Sequence, residues 1–528
     1  MKKAWDKAEH NRISRKEKKM SRTTKCVFSL LMVMIVGVFF VNGDALGDVK
    51  IRGKIVGDPI NIDPAHLKHA QDRIIAQQVF QGLLTFDVTT GPPHPVSPVL
   101  AESYEVSEDG KMITFKLHKG VQFHHGYGEL TSEDVVFSLQ RHLDPKVASR
   151  AGAQLGDVER IEAPDKYTVK IYLKIPSAIT LLQNLAWQNA GFMLSKKAAL
   201  KLGDKIQRMP IGTGPFYFDR WDPGEKVVLK KFDRYWRTPA RIDEIVLWVI
   251  PEEIVALGAL EKGDLDISEV SQLGAYDRAK TLKNIYLAQA KGNVWQYIYY
   301  INHKMKPMDD VRVRRALAYA LDIKGICKRV GPLVVPFPSP LSPAVFAATD
   351  EFWRYEYDLD KARQLLAEAG YPKGFELRLL YNKNVLYEPI ALEVKNCWDK
   401  IVDVKLELIE RAVWAKTLRQ FKHHIAAWGL ARTAPYLYGE RYETGSTAQY
   451  SQYSNPQVDE AIKKAKTART EEEARKYWRE FQRLATEDVV NLVVAVGGNV
   501  QAISNKVKGV LLYPYTGLID LEKAYILK

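Results

Sequence analysis

One short stretch of the sequence combines a single cation with several aromatic rings. In AAWGLARTAPYLYG, Arg432 lies between Trp428 and Tyr436, and no acidic residue occurs within the stretch. A guanidinium binds a carboxylate or phosphate through paired, charge-assisted hydrogen bonds, and indole and phenol rings stack against it. The stretch therefore has the composition of an anion-binding site. The alternative, which the sequence leaves open, is that Arg432 lies on the surface and pairs with Glu440 or Glu443.

Two pairs of adjacent histidines, at 124–125 and 423–424, are weaker candidates for chemistry. Adjacent imidazoles can ligate a metal, but a solvated turn explains the first pair equally simply. Beyond residue 47 the chain has two cysteines, Cys327 and Cys397, both within predicted helices. Their wide separation is not a zinc-binding spacing, and the sequence does not show whether they form a disulfide.

Motifs of hydrolases and of phosphate-binding loops are missing from the sequence. It contains no GxSxG, no HExxH and no Ser-x-x-Lys in an acylation context. The glycines of IGTGPFYF precede a predicted strand, so we interpret them as a turn and not as a phosphate loop. A secreted hydrolase is therefore disfavoured, and we expect a protein that is not an enzyme and has no cofactor.

The N-terminal region differs from the rest of the chain. A basic segment up to Lys25 precedes CVFSLLMVMIVGVFFV, sixteen residues without a charge, and small residues follow at Gly43 and Ala45. Because a membrane span needs roughly 20 residues, this pattern predicts a secretory signal over residues 1–47. A retained membrane anchor and a start at Met20 remain open.

The net charge is +14, but the predicted signal accounts for part of it. Residues 1–47 hold ten Lys or Arg and four Asp or Glu, which leaves +8 for the other residues. That charge is dispersed and forms no basic block or arm. Nucleic acid is therefore not an expected partner, because its binding requires a concentrated patch.

Beyond residue 47, strand-like and helix-like periodicities alternate, which predicts a mixed α/β fold. We expect a hairpin around Gly110 and a helix after Thr131, with Asp134 completing a capping box. The other predicted elements are a strand near Lys54–Val56, a helix over 73–84, a strand over 227–232, one helix over 311–330, a helix that begins after Asp358 and ends before Gly370, and a helical pair over 454–488.

Eight segments in this order resemble the family 5 extracellular solute-binding proteins, the oligopeptide- and dipeptide-binding type that serves ABC importers. The resemblance covers about 55–525. The matching segments are PVLAESYEVSEDGKMITFKLHKGVQFHHG, LTSEDVVFSLQR, IGTGPFYFDRWDPGEKVVL, DRYWRTPARIDEIVLWVIPEE, ALEKGDLDI, DDVRVRRALAYALD, DKARQLLAEAGYPKGFELRLLY and YSNPQVDEAI.

The resemblance implies a type II periplasmic-binding-protein-like fold, with two main lobes, an extra domain and a ligand cleft between the lobes. It also implies hinge closure on a solute, delivery to a membrane permease, a periplasmic or extracellular location and a monomer. The implied parts are lobe I (48–84, 210–292 and 494–528), the extra domain (85–209) and lobe II (293–493).

This sequence differs from the family pattern at the positions expected to bind the two ends of a peptide ligand. Peptide-binding members have an aspartate about three residues after the tryptophan of a WG-type motif, and here that position is Ala431, followed by Arg432. The arginine that dipeptide-binding members place before a YN motif is also missing, since Leu380 precedes Tyr381. The resemblance therefore implies a peptide-like solute that is anionic or blocked at its amino end.

Two further residues are candidates through the resemblance. Trp295, at the expected crossing between lobes, either faces the ligand or packs in the core. Asp63 lies near the family's ligand position, but capping the following helix explains it equally well. Other solutes stay open: an oligosaccharide, which aromatic platforms suit, or a chelated metal such as nickel. So does a role in presenting ligand to a chemoreceptor.

Overall fold

The computed structural model describes residues 49–527, except for 293–294, 383–385, 432–433, 499 and 515–517. Arg432 and the predicted signal over 1–47 therefore lie outside the described residues. Among the helices that are described, none has the length and apolar character needed to cross a membrane.

Strands and helices alternate along the described chain, as the periodicities predict. The strands are β1 Lys50–Ile55, β2 Leu84–Phe86, β3 Val96–Pro98, β4 Ala101–Val106, β5 Met112–Leu117, β6 Val158–Asp165, β7 Thr168–Leu173, β8 Phe216–Asp222, β9 Lys226–Lys231, β10 Glu244–Val249, β11 Ile267–Val270, β12 Ile285–Gln289, β13 Trp295–Ile301, β14 Val334–Val335, β15 Glu376–Tyr381, β16 Asp403–Leu408, β17 Ile425–Ala431, β18 Asn491–Gly497, β19 Val500–Ser504, β20 Val507–Lys508, β21 Leu511–Leu512, β22 Ile519–Asp520 and β23 Tyr525–Ile526. The helices are α1 Ala70–Val79, α2 Ser132–Leu143, α3 Ala178–Leu185, α4 Gln188–Gly191, α5 Lys196–Leu202, α6 Glu253–Lys262, α7 Leu273–Lys280, α8 Val311–Tyr319, α9 Ile323–Val330, α10 Leu359–Glu368, α11 Tyr387–Trp398, α12 Trp414–Leu418, α13 Pro435–Gly439, α14 Pro456–Lys466 and α15 Glu471–Glu487.

These strands form several separate sheets. A four-stranded sheet has the order β1-β10-β9-β8, with β1 parallel to β10, and a three-stranded sheet has the order β11-β19-β12. An antiparallel sheet, β4-β5-β7-β6, comes from the segment between β1 and β8. The largest described sheet has six strands in the order β14-β18-β13-β17-β15-β16.

The six-stranded sheet separates two apolar cores. Consecutive side chains of a strand point to opposite faces, so neighbouring residues of β13 enter different cores. Tyr299 packs on one face, where its ring meets Trp398 edge-on at 5.9 Å. Tyr300 packs on the other face, together with α14 and α15. Helices cover both faces, which is typical of a sheet with parallel strands.

The structure confirms the predicted hairpin and helix caps. β4 and β5 pair in antiparallel register, and Gly110 in the turn has φ 68°. The backbone N–H of Thr131 donates to Asp134 Oδ2 at 3.0 Å, which is the reciprocal bond of a capping box. Asp358 accepts a hydrogen bond from the backbone N–H of Lys361 at 2.9 Å.

The single helix predicted over 311–330 is wrong. The chain forms α8 and α9 instead, with a break between Tyr319 and Ile323. Asp322 ends the continuity because its carboxylate accepts a hydrogen bond from the backbone N–H of Gly325 at 2.9 Å and so starts a new helix. An aspartate inside an apolar periodicity is thus an N-cap here.

The helix predicted over 73–84 is too long. α1 ends at Val79, and Phe80 is already extended, although its N–H still donates to Ala76 O at 2.8 Å. Leu84 belongs to β2, which pairs with β3. The apolar spacing continues past the end of the helix because both segments bury apolar side chains.

The two cysteines lie on α9 and α11, as predicted, and both are buried and unpaired. The question of a disulfide, open in the sequence, is answered in this structure by two free thiols. Burial raises the pKa of each thiol.

Two glycines, Gly212 and Gly214, lie in the turn through which the chain leaves the antiparallel sheet and enters β8. The N–H of Gly214 donates to Val79 O at 2.9 Å, and a Cβ on Gly214 would lie 2.5 Å from Gln78 O. A Cβ on Gly212 would overlap the carbonyl oxygen of Val79 and lie 2.8 Å from its carbonyl carbon. The interpretation of this segment as a turn is confirmed, and its glycines serve close approach between two backbones.

Three charged side chains interact near β1: Lys54, Glu253 and Glu269. Lys54 is buried, and burial lowers its pKa while Glu253 and Glu269 oppose that shift. The Glu253 carboxylate accepts hydrogen bonds from the backbone N–H groups of Ser271 and Gln272. Burial raises the pKa of Glu269 to about 7, and the charge of Glu253 adds to this effect.

The glycine contacts lead to a first prediction. Gly212→Ala should destabilise the fold by about 1–3 kcal/mol, because the clash is with main-chain atoms that cannot rotate away. Gly258→Ala in α6 is the matched control, since a Cβ there meets nothing within 4 Å. The control should be neutral or stabilising. Urea unfolding of both variants measures the effect, and equal stability of the two would contradict the explanation.

The second prediction concerns Glu269. Its pKa in the folded protein is about 7, above the ordinary value of 4.5, so it contributes most stability at acid pH and loses that contribution as pH rises toward 7. The free energy of unfolding of the wild type minus that of Glu269→Gln should therefore fall between pH 5 and pH 7.5. Denaturant unfolding at both pH values tests this, and a difference that stays constant would show that Glu269 does not titrate in this range.

Candidate ligand-binding site

Three parallel strands of the six-stranded sheet end at one edge. β15 pairs in parallel with β16 on one side and with β17 on the other. Their last residues are Tyr381, Leu408 and Ala431. β13 runs in the opposite direction and begins at this edge, where Trp295 is the Cα partner of Ala431. Ligands of open α/β sheets bind at the carboxyl ends of the parallel strands, so this edge is the candidate site.

Each of the three strands is followed by a helix that begins with an aromatic residue at or next to its first position. Tyr387 is the first residue of α11, Trp414 is the first residue of α12, and Tyr436 is the second residue of α13. Parallel strands return their following helices to the same edge. The sequence order of strand, loop and aromatic helix start thus places several rings beside one another.

Five rings form a contiguous group, which we call the aromatic cluster: Trp295, Tyr297, Tyr387, Trp414 and Trp428. The indoles of Trp414 and Trp428 stack with centroids 5.2 Å apart and planes inclined by 13°. Tyr387 lies 6.2 Å from Trp428 and 6.5 Å from Trp295, and Tyr297 meets it edge-on at 5.5 Å. Trp295 and Trp428 are only partly buried, whereas the other three are buried.

Gly429 allows two of these rings to approach the β17 backbone. A Cβ at this position would overlap the Tyr387 hydroxyl and would lie 2.6 Å from Trp295 Nε1. The glycine of the WG pair is therefore required by the packing of the cluster. Its neighbour Trp428 contributes a ring to the cluster, and Gly429 makes room for the others.

The polar groups of the cluster are mostly hydrogen-bond donors. Burial raises the pKa of Tyr387, and a hydrogen bond with Trp295 and the positive charge of Arg411 act in the opposite direction. Trp414 Nε1 is buried and has no hydrogen-bond acceptor among the described residues. Burial and the nearby carboxylate of Glu388 raise the pKa of Tyr381, the last residue of β15. None of the five residues of the cluster carries a carboxylate.

The structure brings together most of the residues predicted for the site. Trp428 and Ala431 lie on β17, and Trp295 lies opposite Ala431 on β13. Tyr436 follows on α13 and packs on the same core as Trp428. Arg432 directly follows Ala431 in the sequence, but it falls outside the described residues, so its role remains a prediction.

Asp63 does not belong to this group of contacts. Its carboxylate accepts hydrogen bonds from Arg141 at 2.9 and 2.6 Å and from the backbone N–H of Ala65 at 3.0 Å. Burial opposes its ionisation, but the bonds from Arg141 outweigh burial and lower the pKa of Asp63. The capping role is thus present, and a contribution of Asp63 to ligand binding remains a prediction.

The histidine pairs do not form a metal site in the described part of the chain, which holds no group of three or more His, Cys, Asp or Glu able to ligate a metal. His124 Nε2 donates to Gly214 O at 2.9 Å, and burial lowers the pKa of His124 to about 3. His424 Nδ1 accepts a hydrogen bond from the backbone N–H of Arg378 at 2.9 Å. His124 and His424 thus have structural roles as hydrogen-bond partners of the backbone.

Sequence reasoning did not identify Tyr387 and Trp414. Each begins a helix after a strand, β15 or β16, so the available signal is the repeated order of strand, loop and aromatic helix start. That order becomes informative only once the three strands are known to be parallel neighbours, which periodicity alone does not reveal.

This edge of parallel strands, lined by aromatic rings, is therefore a candidate binding site. Residues 95–467 match the family described as bacterial extracellular solute-binding proteins, family 5 Middle, and the chain belongs to this family. Its fold is that of the family's periplasmic binding proteins.

Individual relatives cover different shares of the chain. The chain is similar to the heme-binding protein A of Haemophilus influenzae, with 33% identity over 325 residues, which are 57% of this chain and 58% of that protein. It is similar to the dipeptide-binding protein of Escherichia coli, with 28% identity over 487 residues, 83% of this chain and 90% of that protein. The solved structure of HbpA2 from Haemophilus parasuis superposes with a TM-score of 0.81 at 25% identity, covering 90% of this chain and 99% of that one.

The packing at Gly429 leads to a third prediction. Gly429→Ala should destabilise the protein by about 1–3 kcal/mol, because the added methyl group displaces the buried Tyr387 ring. Tyr387→Phe removes the hydroxyl that the methyl group would meet, so the double variant should lose less than the sum of the two single variants. Urea unfolding of all four proteins measures this coupling, and strictly additive losses would contradict the proposed contact.

Proposed function

We propose that the protein is the extracytoplasmic solute-binding component of an ABC importer. It captures a peptide or peptide-like solute at the aromatic edge of the six-stranded sheet by hinge closure and delivers it to a membrane permease. The finer specificity proposed is for a solute that is anionic or blocked at its amino end. The dipeptide-binding relative in Escherichia coli supports the peptide class.

The proposal divides the chain into two lobes and an extra domain. Lobe II is 293–493 and contains the six-stranded sheet, except that the last residues of β18 continue to Gly497. The extra domain is 85–209, and the remaining segments, 48–84, 210–292 and the C-terminal part of the chain, form lobe I. The grouping of strands into separate sheets supports this division.

Contacts across these parts support an enclosed site. Thr180 of α3 donates to the Lys466 carbonyl at the end of α14 at 3.4 Å. Ala431, at the aromatic edge, packs against the apolar core of the extra domain. In the proposed mechanism, solute binding favours this arrangement because a bound solute gains contacts from both sides that an open cleft lacks.

The absence of a carboxylate in the described part of the β17 end carries the proposal of specificity. By the family resemblance, peptide-binding members have an aspartate at the position of Ala431, which is half-buried at the end of β17. The aromatic cluster contributes indole and phenol donors, and Arg411 adds a positive charge near Tyr387. This environment is suited to carboxylate or other acceptor groups of a solute.

Electrostatics favours an anionic or blocked amino end over a free ammonium. A free ammonium enclosed at Ala431 has no paired carboxylate from that position, and leaving a buried charge unpaired costs several kcal/mol. Arg432, as the next residue in the sequence, adds a positive charge to this segment. An anionic or acylated amino end avoids the cost, whereas an ordinary dipeptide does not.

A second candidate solute is an oligosaccharide. The partly exposed rings of Trp428 and Trp295 favour it, because flat indole faces pack against sugar rings. Mass spectrometry of the compound that co-purifies with the protein distinguishes the two candidates, since a sugar and a peptide-like acid differ in mass and in fragmentation. A chelated metal and a receptor-presenting role have no specific contact in their favour.

The test of the proposed function is native mass spectrometry of the purified protein, followed by identification of the compound released on denaturation. We expect an anionic or amino-blocked peptide-like compound. Arg432→Ala should weaken its binding about tenfold or more, since a charge-assisted hydrogen bond contributes about 1.5–3 kcal/mol. Ordinary peptides with free amino ends would contradict the specificity and leave the binding class intact.

A gain-of-function variant provides the matched comparison. Ala431→Asp should increase affinity for free-amino dipeptides and decrease affinity for the released compound, because it restores an acidic partner for an ammonium. Ala415→Asp adds the same charge at an exposed position of α12 and should change neither affinity. Equal effects of the two variants would indicate a general charge effect and would contradict a role for the Ala431 position.

A further inference from the structure

The chain passes twice between the three-stranded sheet β11-β19-β12 and the six-stranded sheet. The first crossing, residues 290–294, joins β12 to β13, and the second joins β18 to β19. The two crossings lie side by side, because β12 pairs with β19 and β13 pairs with β18. Of the first crossing, the structure describes residues 290–292. In the proposed division of the chain, both crossings connect lobe I with lobe II.

The extra domain makes a hydrogen bond to the first crossing. It does so through the loop between β2 and β3, residues 87–95, which we call the hairpin tip. His94 Nε2 donates to the backbone carbonyl of Lys291 at 3.1 Å. His94 is only 4% exposed, so bulk water does not compete for this bond. The bond therefore holds the Lys291 backbone against the extra domain.

The next residue of the crossing, Gly292, approaches the hairpin tip closely. Gly292 has φ 72°, and a Cβ at this position would lie 2.7 Å from Pro92 Cβ. The same Cβ would lie 3.4 Å from Ala344 Cα, in the chain after β14. Glycine meets both requirements, the left-handed backbone and the close approach. The extra domain, the first crossing and lobe II thus meet at one residue.

The hairpin tip is held in shape by its own hydrogen bonds. The N–H of Asp87 donates to Pro95 O at 2.9 Å, which closes the loop. The Asp87 carboxylate accepts from the N–H of Thr89 at 3.0 Å, and Thr90 Oγ1 donates to Asp87 O at 3.0 Å. Phe86, directly before the tip, is buried in the core of the extra domain. The tip therefore presents His94 from a fixed position.

Hinge motion takes place by dihedral changes at a few residues between the moving parts. At the first crossing, any such change that displaces the Lys291 carbonyl breaks its bond to His94. We propose that the hairpin tip stabilises one arrangement of the two lobes, the arrangement of this structure, and that His94 is the positioning residue. This inference rests on the hinge closure of the proposed function and assigns the extra domain a part in it.

The position of the contact connects it to the solute site. Trp295 of the aromatic cluster begins β13, three residues after Gly292. Its Cα partner Ala431 packs against the core of the extra domain. The extra domain thus contacts both the crossing and the aromatic edge, so a change in the hairpin tip acts on the site without touching the solute.

The experiment measures the distance between the lobes in the ligand-free, full-length protein by pulsed electron paramagnetic resonance. Spin labels are attached at Lys262→Cys, the last residue of α6 in lobe I, and at Glu472→Cys, in α15 of lobe II, which are both exposed positions. Cys327 and Cys397 are buried and do not react with the label. Cys26→Ser removes the third native thiol.

Three histidine variants separate positioning from packing. His94→Leu removes the N–H donor and keeps a side chain in its place, whereas His94→Gln supplies an amide donor. His124→Leu is the matched control, because His124 is also buried and also donates to a backbone carbonyl outside the extra domain, that of Gly214, but not at a crossing. Urea unfolding of each variant records any loss of global stability.

We expect His94→Leu to lower the population at the wild-type distance, relative to other distances, by about twofold to tenfold, the effect of one lost hydrogen bond. His94→Gln should restore the wild-type distribution, and His124→Leu should leave it unchanged although it lowers stability. Gly292→Ala, which displaces Pro92 from the crossing side, should act like His94→Leu.

The proposal is overturned if His94→Leu has the wild-type distance distribution, or if His124→Leu changes the distribution to the same extent. The first result would show that the bond does not position the lobes, and the second that any loss of stability alters the distance. Neither result depends on which compound the purified protein releases. The hairpin tip can therefore fail this test while the proposed solute capture stands, and an unexpected solute leaves the distances unaffected.

Discussion

The parallel pairing of β15 with both β16 and β17 is the constraint on which the site depends. The register joins Leu379 to Leu406 on one side and to Ile425 on the other. Because parallel strands need crossover helices, the chain returns to the same edge three times, each time starting a helix with an aromatic residue there. A slip of one residue in β17 would turn Trp428 to the opposite face of the sheet and remove it from the cluster. Register, rather than any single contact, therefore determines the composition of the site.

The packing of the cluster limits what the protein can change without cost. Tyr387 and Trp414 are buried, and Gly429 has no room for a side chain, so these positions fix the shape of the edge. Ala431, by contrast, is small and half-buried at the end of its strand, where it also packs against the apolar core of the extra domain.

Local signals in the sequence predicted local structure correctly. The hairpin at Gly110 and the caps at Thr131 and Asp358 each depend on residues within a few positions, and each is confirmed. The single helix over 311–330 was wrong because Asp322 competes locally with a long apolar pattern, and pattern length alone gave no weight to that competition. Trp428 was identified from the composition of its own stretch and Trp295 through a family resemblance, whereas Tyr387 and Trp414 depend on the order of strands in a sheet. That order is set by contacts between distant segments, which no window of sequence contains.

The hydrogen bond from the Gly214 N–H to the Val79 carbonyl has a consequence for how the chain folds. It joins the point where the segment leading to β2 begins to the point where the chain returns to β8, so it closes a loop that contains the whole antiparallel β4-β5-β7-β6 sheet. The entropic cost of loop closure rises only slowly with loop length. In an unfolded loop of this size, the Val79 backbone would still have to meet Gly212 and Gly214 by chance. If the enclosed sheet forms first, its own compactness brings the two ends together and the closure becomes a local event. In that case the topology favours an order in which the β4-β5-β7-β6 segment forms before the contact that closes its loop, and the sheet in which β1 pairs with β10 assembles afterwards.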